Sequence, residues 1–459
     1  MATAVAQPLP VDTHIPAEQL PPGPRLPATL VTLAWAFAPT WVMDRCFKRY
    51  GETFTLTFAP SGRKLVMISD PDAVKTVFTA PPEVAPSGAG VSPVAPIMGP
   101  SSVITLIGPE HMRQRKLLLP PLHGERMREY EDVIVQATEK SMEQWPLGRP
   151  MRLAPRTRGI TLEVILRAVF GVEASRMGTL RDAIAGLLKE SQTPALLLAA
   201  LRRPNFDRPT GAIGRALDHL DSVIYQEIAR RREETDLAER ADIMSLLLLA
   251  RDESGEPMTD SELRDELITL LLAGHETTAT AVAWAVERLV RHPDKLARLV
   301  TEIDAGESDD YMQAVVNETL RIRPVVPFVV RVLTEPLIVG GHELPAGARV
   351  VPSIYLTNRN PRIYEAPGEF RPERFLENAG GRDVNPYSWI PFGGGIRRCI
   401  GASFATLEMK LILRTVLREL TPSVPRGGGL LFRRGEWNRR RAITLVPAAG
   451  ARVVWRKRS

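Results

Sequence analysis

The segment PFGGGIRRCIG, residues 391–401, sets one of the chain's two cysteines, Cys399, behind three glycines and two arginines. After it, Ala405, Met409, Ile412, Leu413, Val416, Leu417 and Leu420 recur at the steps of one buried helical face, which predicts Cys399 at the mouth of a helix. Unpaired amides and the positive dipole end favour an anion there, lowering a thiol's pKa. Glycines at 393, 394 and 395 let the backbone approach something large and flat, and Arg397 and Arg398 supply charge for a carboxylate on it. The segment therefore predicts a thiolate presented to a bulky anionic ligand. A glycine turn ahead of a buried, inert cysteine is the plainer alternative.

Three other groupings could carry chemistry. LLLAGHETTATAVAWAVERL belongs to a helix predicted to start at a capping box, Thr259 with Glu262, and to end before Pro293. Gly274, Glu276, Thr277 and Thr278 break its apolar pattern, which suggests a site, although threonines also bond back to their own helix. His275, between them, reads as a packing or pocket-rim residue and not as a metal ligand. In NETLRIRP, Glu318 and Arg321 are three apart and share a helix face. In GPEHMRQRK, His111 and Arg115 are four apart and can meet two oxygens of one anionic group.

Phe392, Gly395, Arg397, Cys399 and Gly401 match the F-x-x-G-x-R-x-C-x-G haem-binding signature, so the chain resembles a cytochrome P450. Ala273, Gly274, Glu276, Thr277 and Thr278 match that family's A-G-x-E-T-T segment, and E-x-x-R is followed by the stretch containing Arg374. The resemblance spans about residues 40–459. It implies a mainly α fold with a small β subdomain, the cytochrome P450 fold, and non-covalent haem b with its iron on Cys399. It implies Phe392, Gly395 and Gly401 in the cofactor loop, Ala273 over the distal face, and His111, Arg115, Arg331 and Arg397 at the propionates. Thr277 and Glu276 become the alcohol and acid that deliver protons to bound oxygen. Glu318, Arg321 and Arg374 become a buried structural network.

These residues need a scaffold. Residues 1–27 read as a loose proline-rich leader and 28–459 as one catalytic domain. TFTLTFA and KLVMIS flank turn residues and predict a hairpin. Residues 109–324 read as almost wholly helical. PLIVGGHELPAGARVVPSIYL predicts two strands around turns, and RRAITLVPAAGARVVW another pair. Two loops, 85–102 and 196–212, are candidates for substrate contact. The apolar stretch 28–38 is too short to span a bilayer and predicts a buried or surface-lying helix.

With 459 residues, 44% hydrophobic and 24% charged, the chain reads as globular with a sizeable core. Its net charge of +6 fits nucleic acid, an anionic membrane or an acidic protein and does not choose among them. Two cysteines far apart argue against a disulfide framework and for a reducing cytoplasm. The resemblance implies O2-dependent monooxygenation of a lipophilic small molecule such as a fatty acid, terpene or steroid. Electrons would come from NAD(P)H through a separate ferredoxin or flavodoxin, docked by Arg113, Lys116, Arg398 and Lys410. A monomer is expected, with no nucleic-acid partner and no integral membrane anchor. The apolar Val325, Val326, Phe328 and Val329 are expected near the pocket, and a non-catalytic haem-binding or sensing protein of the same fold is the alternative.

Overall fold

Thr259 Oγ1 accepts the Glu262 N–H at 3.2 Å while the Glu262 carboxylate accepts the Thr259 N–H at 2.8 Å. This capping box satisfies two helix-start donors at once and opens the longest helix, Asp260–Leu289. Most of its surface is buried, as expected of a helix whose apolar residues do not keep to one stripe. Helix Ala154–Phe170 packs along it, and helix Ala402–Glu419 crosses it on the way to helix Glu131–Met142. The expected apolar face of the Ala402–Glu419 helix is buried apart from half-buried Ala405, and the same face carries a carboxyl, Glu408. The computed structural model describes residues 15–88, 95–171, 174–191, 208–376, 385–425 and 435–458.

Gly274 has a packing reason. A Cβ there would lie 3.1 Å from Ile165 Cδ1, so glycine admits the close approach of helix Ala154–Phe170. The two helices are also bonded, since Thr157 and Thr161 donate to the carbonyls of Ala279 and His275 at 2.9 and 2.8 Å.

The expected N-terminal hairpin is β1 (Thr53–Phe58) with β2 (Arg63–Ile68). Strand β2 continues in parallel to β7 (Arg349–Pro352), which pairs antiparallel with β4 (Arg331–Val332). The segment expected to hold two strands thus holds three. Strands β5 (Leu337–Val339) and β6 (His342–Leu344) form a hairpin, and β7 joins the first sheet. Near the C-terminus, β9 (Asn438–Arg441) pairs with β10 (Thr444–Pro447). Strand β11 (Arg452–Lys457) instead sits between β3 (Pro150–Arg152) and β8 (Leu420–Ser423). Local alternation marks a strand but not its distant partner.

The described part of the proline-rich leader is tied down. Thr55 donates its N–H to Pro22 O at 3.0 Å and its hydroxyl to Pro21 O at 2.7 Å, and Lys64 Nζ reaches Ile15 O at 2.9 Å. The 28–38 stretch forms helix Ala28–Phe37, with Val31 and Trp35 buried and Leu30, Leu33 and Phe37 exposed. Among the described residues no helix is long and apolar enough to cross a membrane. Most of the 196–212 stretch lies outside the described residues, as do residues 89–94 of the other loop.

Candidate active site

The cysteine segment folds back on itself: the Cys399 N–H donates to Phe392 O at 2.9 Å and the Arg398 N–H to Gly395 O at 3.1 Å. Two of its glycines are also required by protein packing. A Cβ on Gly395, whose φ is +63°, would lie 2.0 Å from Phe78 O, and one on Gly394 would lie 2.5 Å from the Phe78 ring. The loop thus packs on helix Pro71–Thr79. Gly401 begins helix Ala402–Glu419, and its N–H bonds the Cys399 sulfur. Phe392 is half-buried with its ring 6.3 Å from that of Trp389.

Cys399 is free, and its surface is open to contact. Protein nevertheless surrounds it closely, and burial pushes its thiol up, against the Gly401 N–H and the charges of Arg398 and Arg115. The expected depression by the helix mouth is therefore outweighed in the protein alone, because desolvation of a thiolate is the larger effect.

Around Cys399 stands a cluster of positive charge. Buried His111, on helix Gly108–Leu118, is held down at about 3 by burial and by Arg397, Arg115 and Arg331. Burial lowers Arg397 to about 9, helped by Arg331 and Arg115, and lowers Arg331 to about 10. It lowers Arg115 as well. Among the described residues none of these three arginines has a carboxylate partner, and His111 Nδ1 has no hydrogen bond. The Arg331 guanidinium donates to its neighbour Val330 O at 3.1 Å and lies 5.6 Å over the Phe78 ring. So much uncompensated, partly buried charge asks for an anion with several oxygens.

The second group lies on the central helix. Ala273 is exposed midway along it, with Glu276 and Thr277 half-buried beside it. Thr277 Oγ1 donates to Ala273 O at 2.5 Å. Glu276 is held between Arg441 at 3.3 Å and Arg158 at 3.9 Å, yet its Oε1 has no hydrogen bond. Burial raises its pKa, opposed by Arg441 and Arg158. His275 packs inward, and burial with Arg158 and Arg441 lowers it to about 4. Thr278 bonds the Glu408 carboxyl, which burial pushes up to about 8.

Loop residues 99–106 connect the two groups. The Ser101 N–H donates to Asp265 at 2.8 Å, the Val103 N–H to Glu266 at 2.7 Å, and the Ser102 and Thr269 hydroxyls meet at 2.6 Å. From the other side Arg397 donates to Val103 O at 3.0 Å and to Leu106 O. These tethers, Glu408 and the two arginines on Glu276 come from distant segments and leave no spacing signal around the motifs.

Glu318 and Arg321 are fully buried and bonded at 2.6 and 2.8 Å, with Arg374 Nε at 3.2 Å. Three of the four expected docking cations are in internal ion pairs. Arg113 pairs with Asp252 and Glu262, Lys116 with Glu253, and Lys410 with Asp309. No ion pair is seen for Arg398 among the described residues.

These residues fit a haem. Among the described residues no three His, Cys, Asp or Glu side chains gather to hold a metal, so an ion on Cys399 must bring further ligands of its own. A flat macrocycle with two carboxylates would do that and would also meet the cationic cluster.

The family model described as Cytochrome P450 matches residues 21–437. The chain is 42% identical over 420 residues to a Mycobacterium tuberculosis protein named as cytochrome P450 137, covering 90% of this chain and 85% of that one. It is 40% identical over 440 residues to that organism's protein named as cytochrome P450 135B1, covering 95% and 91%. A solved retinoic acid-bound cyanobacterial CYP120A1 is similar in fold, with a TM-score of 0.81, 25% identity, and 96% of this chain and 99% of that one covered.

Proposed function

Because this chain belongs to the cytochrome P450 family of haem monooxygenases, we propose that Cys399 holds the haem iron and that the enzyme inserts one oxygen atom of O2 into a lipophilic small molecule. The observation that carries this is the accessible lone cysteine beside His111, Arg115, Arg331 and Arg397, three of them arginines without a carboxylate partner among the described residues. When bound, haem with a thiolate ligand supplies O2 activation, since thiolate donation favours O–O cleavage. The cationic cluster would hold the propionates. Arg397, which already holds the 99–106 loop, would then join that loop to the cofactor.

On the distal side exposed Ala273 would leave room beside a bound ring, and Thr277, whose hydroxyl proton rests on Ala273 O, would turn it toward that space to pass it on. Glu276 stands one residue before it with an unbonded Oε1 and a raised pKa, suited to replenish that proton. Arg158 and Arg441 keep its carboxyl oriented. The apolar Val325, Val326 and Val329, together with the retinoic acid named for the similar cyanobacterial structure, support a lipophilic substrate. Electrons come from NAD(P)H through a ferredoxin or flavodoxin docking near Arg398, to a monomeric cytoplasmic enzyme. Arg113 and Lys410 are committed to internal pairs.

The test is the absorption spectrum of dithionite-reduced protein with carbon monoxide, for wild type and Cys399→Ser. A strongly red-shifted Soret band lost in the variant is expected. An ordinary haem band in well-folded wild type would overturn the assignment of Cys399.

A further inference from the structure

Between Arg25 and Asp44 the sequence contains no charged residue. Helix Ala28–Phe37 and the start of helix Pro39–Tyr50 lie here, and Pro39 separates them. Leu26, Leu30, Leu33, Phe37 and Trp41 follow at steps of four, three, four and four. Each is more than half exposed, and Phe37 is 83% exposed. The first helix also touches strand β9, which exposed Trp437 precedes. An apolar stripe of this extent needs a partner.

The stripe is presented rigidly. Val31 and Trp35 are buried on the opposite side, the Trp35 ring lies 5.5 Å from those of Phe58 and Phe328, and Thr32 Oγ1 accepts the Ala59 N–H at 2.8 Å. Exposed Arg25 precedes Leu26, exposed Arg45 lies 6.0 Å from the Trp41 ring with exposed Arg49 one turn further on, and exposed Arg439 is on β9. None of the four has a salt bridge among the described residues. The nearest acid in sequence, Asp44, is already hydrogen-bonded by Tyr355.

We propose that this face docks the enzyme on an anionic lipid surface, with the stripe entering the boundary between headgroups and acyl chains and the arginines on the headgroups. Apolar side chains rimmed by aromatics and unpaired cations suit that boundary. A second copy suits it poorly, because a twofold contact would oppose the same arginines without acids between them. The purpose of docking rests on the lipophilic-substrate reading. Phe328, which packs under Trp35, is three residues from Arg331 of the cofactor cluster, so the docked face lies one helix thickness from the segment proposed for the pocket wall.

The test is co-sedimentation of the full-length haem-loaded protein with phosphatidylcholine vesicles, with and without phosphatidylglycerol. Binding should need phosphatidylglycerol, weaken with salt, and fall at least about tenfold in Leu33→Ser/Phe37→Ser, whose thermal midpoint should match wild type because both sites are exposed. Arg45→Gln and Arg439→Gln should each cost about fivefold, the factor given by about 1 kcal/mol per cation near an anionic surface. No binding of wild type, or equal binding of the Leu33→Ser/Phe37→Ser variant, overturns the proposal. So does a concentration-dependent dimer abolished by that variant, which would assign the face to a second copy. Failure of lipophilic compounds to shift the haem spectrum would count against the proposed substrate class and leave vesicle binding as it was measured.

Discussion

Removing Glu318 should unfold the protein more readily without touching its chemistry, and the cost can be worked from its bonds. Its carboxylate accepts from Arg321 at 2.6 and 2.8 Å, from the Arg371 N–H at 2.7 Å and from Arg374 Nε at 3.2 Å. Glu318→Ala leaves the guanidinium of Arg321, fully buried, without its counter-charge, a change worth about 3–5 kcal/mol. Arg321→Ala should cost at least as much. It strips a donor from Asn358 O, Pro367 O and Glu369 O, of which Asn358 is buried, and a buried carbonyl left unbonded costs about 1–3 kcal/mol. Arg374→Ala, at the more exposed edge with longer bonds of 3.2 Å to Glu318 and 3.3 and 3.4 Å to Glu365 O, should cost about 1 kcal/mol. Urea unfolding of the haem-loaded protein reads all three, and turnover per bound haem in the folded fraction should stay at the wild-type level. A cost below about 1 kcal/mol for Glu318→Ala, or Arg374→Ala exceeding it, would refute the reasoning.

Other expectations follow from the same contacts. The raised pKa of Glu408, about 8, means the folded state holds a proton that the unfolded state has released above about 4.5, so stability falls as pH rises through that window and levels off beyond 8. Urea unfolding from pH 5 to 9 should show a shallower decline in Glu408→Gln, and an identical slope would refute the assignment. Gly395→Ala, with a positive φ and a Cβ 2.0 Å from Phe78 O, should cost more than about 2 kcal/mol or abolish haem retention. Gly274→Ala, meeting only the end of the Ile165 side chain while gaining about 1 kcal/mol of helix propensity, should be close to neutral by thermal melt. Thr277→Val and Glu276→Gln should lower product formed per NAD(P)H by about a hundredfold or more while leaving the reduced carbon monoxide spectrum unchanged. Unaltered yield in both variants would remove them from the proton path.

The parts of the site that lie within one short stretch were legible in the sequence: the Cys399 segment, the capped central helix, and the Glu318–Arg321 pair. Each depends on spacing along a single element, where a few residues fix the geometry. The reasons for the glycines were not legible, because Gly395 answers to Phe78 and Gly274 to Ile165, contacts made only when distant segments meet. The partners of β7 and β11 were hidden for the same reason. Glu408 lies between. A carboxyl on the buried face with Phe404 and Ile412 is visible as a break in an apolar pattern, but Thr278 opposite it is not. At Cys399 the helix-mouth dipole was legible, and the burial that raises the thiol in the protein alone was not.

Main-chain atoms of the 99–106 loop, more than its side chains, take the grip of Asp265, Glu266 and Arg397. Main-chain groups are the same whatever residue carries them, so mutations at Ser101, Ile104 or Leu106 can alter what the loop displays and leave its path in place. Those three positions can drift in sequence at little structural risk, and in laboratory selection for new selectivity they are where libraries should be concentrated, with positive-φ Gly99, buried Ser102 and Val103, Asp265, Glu266 and Arg397 held constant.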